Sequence, residues 1–127
     1  MITINLIKDF FETKNIFEKY NTLFGTNCFW MAAKDNEDTL CLCLFKYSDD
    51  SVIIKDIQPR NDIMMADGIL RSTFFVASNR GIEKAYYDNT EIEEMLDKLG
   101  FILNKKEKSL MLKKIFESCC GCSGQNN

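Results

Sequence analysis

The chain has 127 residues, of which 46% are apolar and 12% aromatic, with a formal net charge of −3. That length and apolar content suit one domain around one hydrophobic core and exclude a disordered chain. The mild negative charge, with Lys and Arg scattered, excludes a general nucleic-acid surface, and no apolar run approaches the ~20 residues that span a bilayer.

Ile2 to Leu6 alternates apolar and polar residues as a short strand does. It is too short and too polar for a secretory signal, carrying Asn5 and running into Lys8 and Asp9. With no C-terminal lipidation box either, the expected compartment is the cytosol, and no membrane partner is expected. Residues 8–20 place Phe10, Phe11, Ile16, Phe17 and Tyr20 at rough helical spacing, which predicts one or two helices packed on the core. After a loop around Gly25, three strands are predicted: Cys28 to Ala33, Leu40 to Tyr47 and Val52 to Ile57, the last stopped by Pro59. Their short polar turns make an antiparallel meander.

The period then changes. From about Met65 to Arg80, Ile69, Leu70, Phe74 and Ala77 mark one face of a helix, and Gly81 sits where a left-handed cap belongs. Lys84 to Asp88 reads as a strand. Thr90-Glu91-Ile92-Glu93 has the form of a capping box, opening a helix that buries Ile92, Met95, Leu96 and Leu99 and ends at Gly100. Phe101 to Asn104 and Ser109 to Lys113 form a hairpin across a solvated, lysine-rich turn. The expected order is β-α-β-β-β-α-β-α-β-β, an α/β (α+β) fold with a mixed, mostly antiparallel sheet flanked by helices. Residues 1–116 form the domain and 117–127 a flexible, cysteine-rich tail.

Three landmarks accompany that order: Ile57-Gln58-Pro59 at a strand end, a loop and helix closing on Asn79-Arg80-Gly81-Ile82, and Asn89 spaced ahead of Leu99-Gly100-Phe101. With them the chain resembles the GNAT acyltransferase superfamily, by landmark over residues 52–101 and by strand order over residues 1–51. The resemblance implies transfer of an acyl group from acetyl-CoA, or another acyl-CoA, to the amine of a small molecule or protein. It implies that the pantetheine arm lies against Ile57 and Gln58, and that the pyrophosphate sits at the loop and helix start over Met64, Met65, Ala66, Asp67 and Gly68. Asn89 takes the place of the family's Asn at the end of the fifth strand.

The sequence departs from the pattern twice. The glycines that let backbone approach a pyrophosphate fall on Met64 and Ala66, or on Met65 and Asp67, and Asp62 and Asp67 add negative charge there. The position of the family's proton-donating Tyr is Leu96, so Tyr86 and Tyr87 become the substitutes, of which one is expected in the core and the other in solvent. The chain has no His. Asp56, alternating with Val52 and Ile54, or Glu12 is the candidate base; the plainer reading of Asp56 is a strand-end carboxylate in solvent. The alternative function is a non-catalytic relative that binds through its surface or its tail.

In that tail Cys119, Cys120 and Cys122 could hold a soft metal ion or cluster, exchange disulfides, or dock a partner. A fourth ligand would have to come from Cys28, Cys41, Cys43 or a second chain, and those three read as reduced core thiols. Met64 and Met65 read as gap fillers and Phe10, Phe11 and Phe17 as core; Trp30, beside Phe29 on a strand, could line a substrate groove, with core packing the plainer reading.

Overall fold

The computed structural model describes residues 1–112. The tail thiols Cys119, Cys120 and Cys122 lie outside the described residues. The elements in chain order are β1 (Ile2–Ile7), α1 (Phe10–Lys19), β2 (Cys28–Asp35), β3 (Asp38–Ser48), β4 (Ser51–Gln58), α2 (Ile63–Asn79), β5 (Lys84–Tyr87), a 3-10 turn (Thr90–Ile92), α3 (Glu93–Lys98), β6 (Ile102–Asn104) and β7 (Ser109–Leu110). They build one seven-stranded sheet of order β1-β2-β3-β4-β5-β7-β6. Every neighbouring pair is antiparallel except β4 and β5, whose parallel pairing requires the α2 crossover.

The meander turns rest on residues that tolerate left-handed backbone. Asn36 joins β2 to β3 at φ 57° and Asp49 joins β3 to β4 at φ 54°. Side chains of β2 and β3 alternate between two layers. Met31, Ala33, Cys41, Cys43, Phe45 and Tyr47 pack under α2 and α3. Trp30, Ala32, Leu42 and Leu44 pack under α1 through Phe17. Leu96 is fully buried, as its periodicity predicts.

Residues 10–19 form a single helix, begun where the Asp9 carboxylate accepts the Glu12 N–H. Its buried residues are Thr13 and Phe17, one turn apart. Phe10 and Phe11, expected in the core, are instead 59% and 72% exposed. Phe11 lies roughly 200° around the helix from Thr13, and Phe10 sits at the first helical position and stacks edge-on to Phe24. Met64 is likewise exposed rather than filling a gap, whereas Met65 packs against the core.

Candidate functional site

Two features of the sheet create an opening beside the N-terminus of α2. The parallel pairing of β4 and β5 ends at Ile54 with Tyr87, although β4 continues to Gln58. One step further, β4 carries a bulge: Phe45 pairs with Ile54 and Leu44 with Asp56, which leaves Lys55 as the extra residue. A one-residue slip exchanges the faces of a strand. Ile57 therefore joins Val52 and Ile54 in the layer under α2. Asp56 and Gln58 pair with Leu44 and Leu42 and share their face, the one covered by α1. Strict alternation placed Asp56 with Val52 and Ile54, and the bulge overturns that placement.

Asp56 is not a solvated strand-end carboxylate either. It is 1% exposed and well supplied with donors. Its Oδ1 accepts the Ile57 N–H at 2.8 Å and the Arg60 guanidinium at 3.0 Å, and its Oδ2 accepts Gln58 Nε2 at 3.1 Å. Arg60 also pairs with Glu91 in the 3-10 turn that follows β5. The chain Asp56–Arg60–Glu91 thus bridges the opening between β4 and β5. Two further ties sit at its inner end: Lys55 Nζ to Asp88 at 2.6 Å, and Asn89 Nδ2 to the Lys55 carbonyl at 3.1 Å.

Asn89 has a second task. Its Oδ1 accepts the Glu91 N–H at 2.9 Å and caps the 3-10 turn. Asn89, not the expected Thr90, is the capping side chain here. Glu93, expected to close the capping box, instead accepts the Tyr87 hydroxyl at 2.5 Å. Burial, then Glu93 and Asp97 beside it, push Tyr87 up to about 12. Tyr87 is 1% exposed and packs under α2 and α3. Tyr86 is half-buried and pairs with Ile53, whose partner Lys46 points away from the α2 layer. Of the candidate acid–base groups, Asp56 and Tyr86 are thus brought to one face and Tyr87 is sent to the other. Glu12, exposed on α1, is not part of this group.

At the start of α2, Asp62 is the cap: its carboxylate accepts the Met65 N–H at 3.1 Å. Only the first-turn amides of Ile63 and Met64 then lack a helix-internal acceptor. Asp67 pairs with Arg71 at 2.9 Å, and the Arg71 guanidinium lies over the Phe101 ring. Ala66 is fully buried and Gly68 half-buried with open space beside its Cα. Along residues 56–58 β4 has no β5 partner to exclude a pantetheine arm, though Asp56 Oδ1 holds the Ile57 N–H, and a pyrophosphate would meet the Asp62 carboxylate. The donor's two halves therefore fit unequally.

On the α1 face a cleft of about 340 Å³ adjoins the end of β4. Ile16, Tyr20, Leu40, Cys41, Leu42 and Gln58 line it, with Lys19 as its charged side chain. Cys41 and Cys43 are buried, and burial pushes them up to about 11 and about 12. Such thiols stay protonated and make poor metal ligands. Among the described residues no cluster of metal-ligating side chains occurs, and no helix is long and apolar enough to cross a membrane.

Sequence reasoning offered Arg60 only as a counter-charge to the acids of the loop, and Glu91 and Glu93 only as capping acids; it missed the Arg60–Glu91 bridge and the Glu93–Tyr87 bond. Charge alone could have flagged them, but only the bulge and the turn after Gln58 bring Arg60 back onto Asp56.

No sequence family matches the chain, and no curated protein matches it by sequence. Solved structures do match. A candidate N-acetyl transferase of Escherichia coli, YhhK, bound to coenzyme A, superposes with a TM-score of 0.56 at 14% identity, over 83% of this chain and 94% of that one. The ribosomal-protein-S18-alanine N-acetyltransferase of Escherichia coli gives 0.57 at 9% identity, over 86% and 88%. An aminoglycoside acetyltransferase from an uncultured soil metagenomic sample, in complex with trehalose, gives 0.56 at 12%, over 87% and 92%. With its mixed seven-stranded sheet and three helices among the described residues, the chain has the fold of these acetyltransferase structures, the GNAT fold.

Proposed function

We propose that the chain is an N-acyltransferase of the cytosol that takes its acyl group from acetyl-CoA or another acyl-CoA and delivers it to an amine of a small molecule or protein. The observation that carries this reading is the end of β4–β5 pairing at Ile54 and Tyr87, four residues before β4 itself ends at Gln58. An extended pantetheine arm can add to such an edge as a strand does. The likeness to acetyltransferase structures supports the same reading at the level of fold.

On this reading the amine approaches from the α1 face, where Asp56, Gln58, Tyr86 and the cleft beside Tyr20 lie. The Ile57 N–H is the donor suited to polarise the thioester carbonyl, once that oxygen replaces Asp56 Oδ1. Asp56, released from that amide, is then a carboxylate on the side of the attacking amine and can accept its proton. Tyr86 is the phenol on that face for the departing thiolate. Positioning supplies most of the remaining acceleration.

The test is a thermal shift with acetyl-CoA. A donor present at about 100 times its Kd stabilises by ~2.7 kcal/mol, a shift of roughly 10 °C for a domain of this size. No shift at about 1 mM acetyl-CoA, a level that detects even weak binding, would sink the proposal.

A second reading, a non-catalytic GNAT-fold binding protein, is favoured by the Asp56–Arg60–Glu91 bridge, which closes the opening the donor needs. In it the tail thiols Cys119, Cys120 and Cys122 carry the activity, by holding a metal, by redox exchange or by docking a partner. Purified protein carrying near-stoichiometric zinc or iron, lost on deleting residues 119–127, would support it.

A further inference from the structure

The far end of α2 holds a second cavity. It measures about 260 Å³ and is lined by Leu6, Lys8, Phe29, Tyr47, Val76, Asn79 and Arg80. With 17 residues in α2, it lies about 25 Å along the helix from the opening between β4 and β5. Its walls are apolar and aromatic. Phe29 and Tyr47 pack ring to ring with 5.7 Å between centroids, flanked by Leu6 and Val76.

Three of its polar side chains, Tyr47 and the exposed Lys8 and Arg80, make no hydrogen bond or ion pair among the described residues. Tyr47 is 5% exposed, yet its hydroxyl has no hydrogen bond among the described residues. A buried hydroxyl left so is costly, and water or a ligand in the cavity can supply the missing partner. Arg80 and Lys8 form no ion pair among the described residues, in a chain whose net charge is −3. The Arg80 guanidinium lies 4.2 Å from the Tyr47 ring centroid and 6.0 Å from that of Phe29. Stacking engages the face of a guanidinium and leaves its N–H donors in the plane, where they match a carboxylate.

From this set of groups we infer that the cavity is a binding site for a small carboxylate with an apolar, preferably aromatic, body. Arg80 and Lys8 pair with the carboxylate, the Tyr47 hydroxyl donates to one of its oxygens, and Phe29, Val76 and Leu6 enclose the body. The site is independent of acyl-CoA and stands whether or not the chain is a transferase.

Benzoate is the probe, titrated into isotope-labelled protein and followed by amide chemical shifts. The expected result is saturable shifts confined to residues around 6–8, 29, 47 and 76–80. Benzamide and benzylamine, which keep the ring and lose the anion, should bind at least about fivefold more weakly, the scale of one charge-assisted bond. Acetate, which keeps the anion and loses the ring, should do the same. Tyr47→Phe and Lys8→Gln each leave the packing in place and should weaken benzoate by a similar factor. An unshifted melting temperature in Lys8→Gln keeps that comparison clean. Absence of saturation at about 10 mM benzoate overturns the inference, as does equal binding of benzamide or unchanged affinity in both variants.

Discussion

Arg60→Ala isolates the interaction that decides the state of the opening. In the intact chain Asp56 is 1% exposed and holds Arg60 at 3.0 Å. Removing one partner of a buried pair costs about 3–5 kcal/mol when the remaining charge is left wholly uncompensated. Here the Ile57 N–H and Gln58 Nε2 still serve the carboxylate, at 2.8 and 3.1 Å. Arg60 itself is 33% exposed, so water screens its side of the pair. Both facts place the expected loss below that range, at about 2–3 kcal/mol. The Glu91 arm adds little, since that carboxylate is 68% exposed and exposed pairs contribute under ~1 kcal/mol. The assay is urea unfolding of Arg60→Ala, Asp56→Asn and the double variant. The cycle should give a coupling of about 2 kcal/mol between the two residues, and the melting temperature of Arg60→Ala should fall by roughly 8–12 °C. A loss within ~0.5 kcal/mol of wild type, or additive single effects, would refute the bridge as a structural element.

Alkaline stability should fall earlier than an exposed chain would suggest. Burial, the first cause in each case, raises Cys41 from 9.0 to about 11, Cys43 from 9.0 to about 12 and Tyr87 from 10.0 to about 12. The unfolded chain therefore releases these protons first. Their stabilising contribution is complete below pH 9 and is lost as pH climbs through the folded values, at up to about 1.4 kcal/mol per pH unit for each proton. Urea midpoints should decline from pH 9 to 11, with a shallower slope in Cys43→Ala, and a flat profile would contradict the burial argument. Asn89→Ala removes both the bond to the Lys55 carbonyl and the cap on Glu91. A loss of about 1–2 kcal/mol is expected, with Asn89→Asp, which keeps the cap, falling between it and wild type.

The mixed, mostly antiparallel sheet flanked by helices was readable from sequence because period and punctuation agree: polar turns break the meander, and α2 shows its apolar face through Ile69, Leu70, Phe74 and Ala77. The site was less readable because a bulge leaves no mark in hydrophobic alternation. Residues 52–57 read equally well as an unbroken strand, and only the pairing of Leu44 with Asp56 reveals the slip. That slip changed the meaning of Asp56, from a lone carboxylate on an apolar face to a buried anion with three donor groups. Capping was misassigned for a related reason. Asn89 and Thr90 are both good caps by residue type, and the choice between them depends on the Lys55 carbonyl, contributed by a strand 34 residues earlier.

The uneven fit of the opening makes a prediction about which part of the donor is recognised. Helix N-termini attract phosphate through free amides and a partial positive charge, and α2 offers both in reduced form. Asp62 takes the Met65 N–H and sets a carboxylate at the helix end, while Asp67 holds Arg71. Arg60 faces Asp56 and Glu91. Recognition should then rest on the pantetheine arm, through strand-like pairing along residues 56–58. Acetyl-CoA and S-acetylpantetheine should bind with affinities within about threefold of each other, a difference under ~0.7 kcal/mol. Asp62→Asn keeps a cap, removes the charge, and should shift the balance toward acetyl-CoA. A preference of wild-type protein for acetyl-CoA beyond about thirtyfold, or ~2 kcal/mol, would mean that the phosphates find donors at the helix start despite Asp62, and would refute recognition through the pantetheine arm alone.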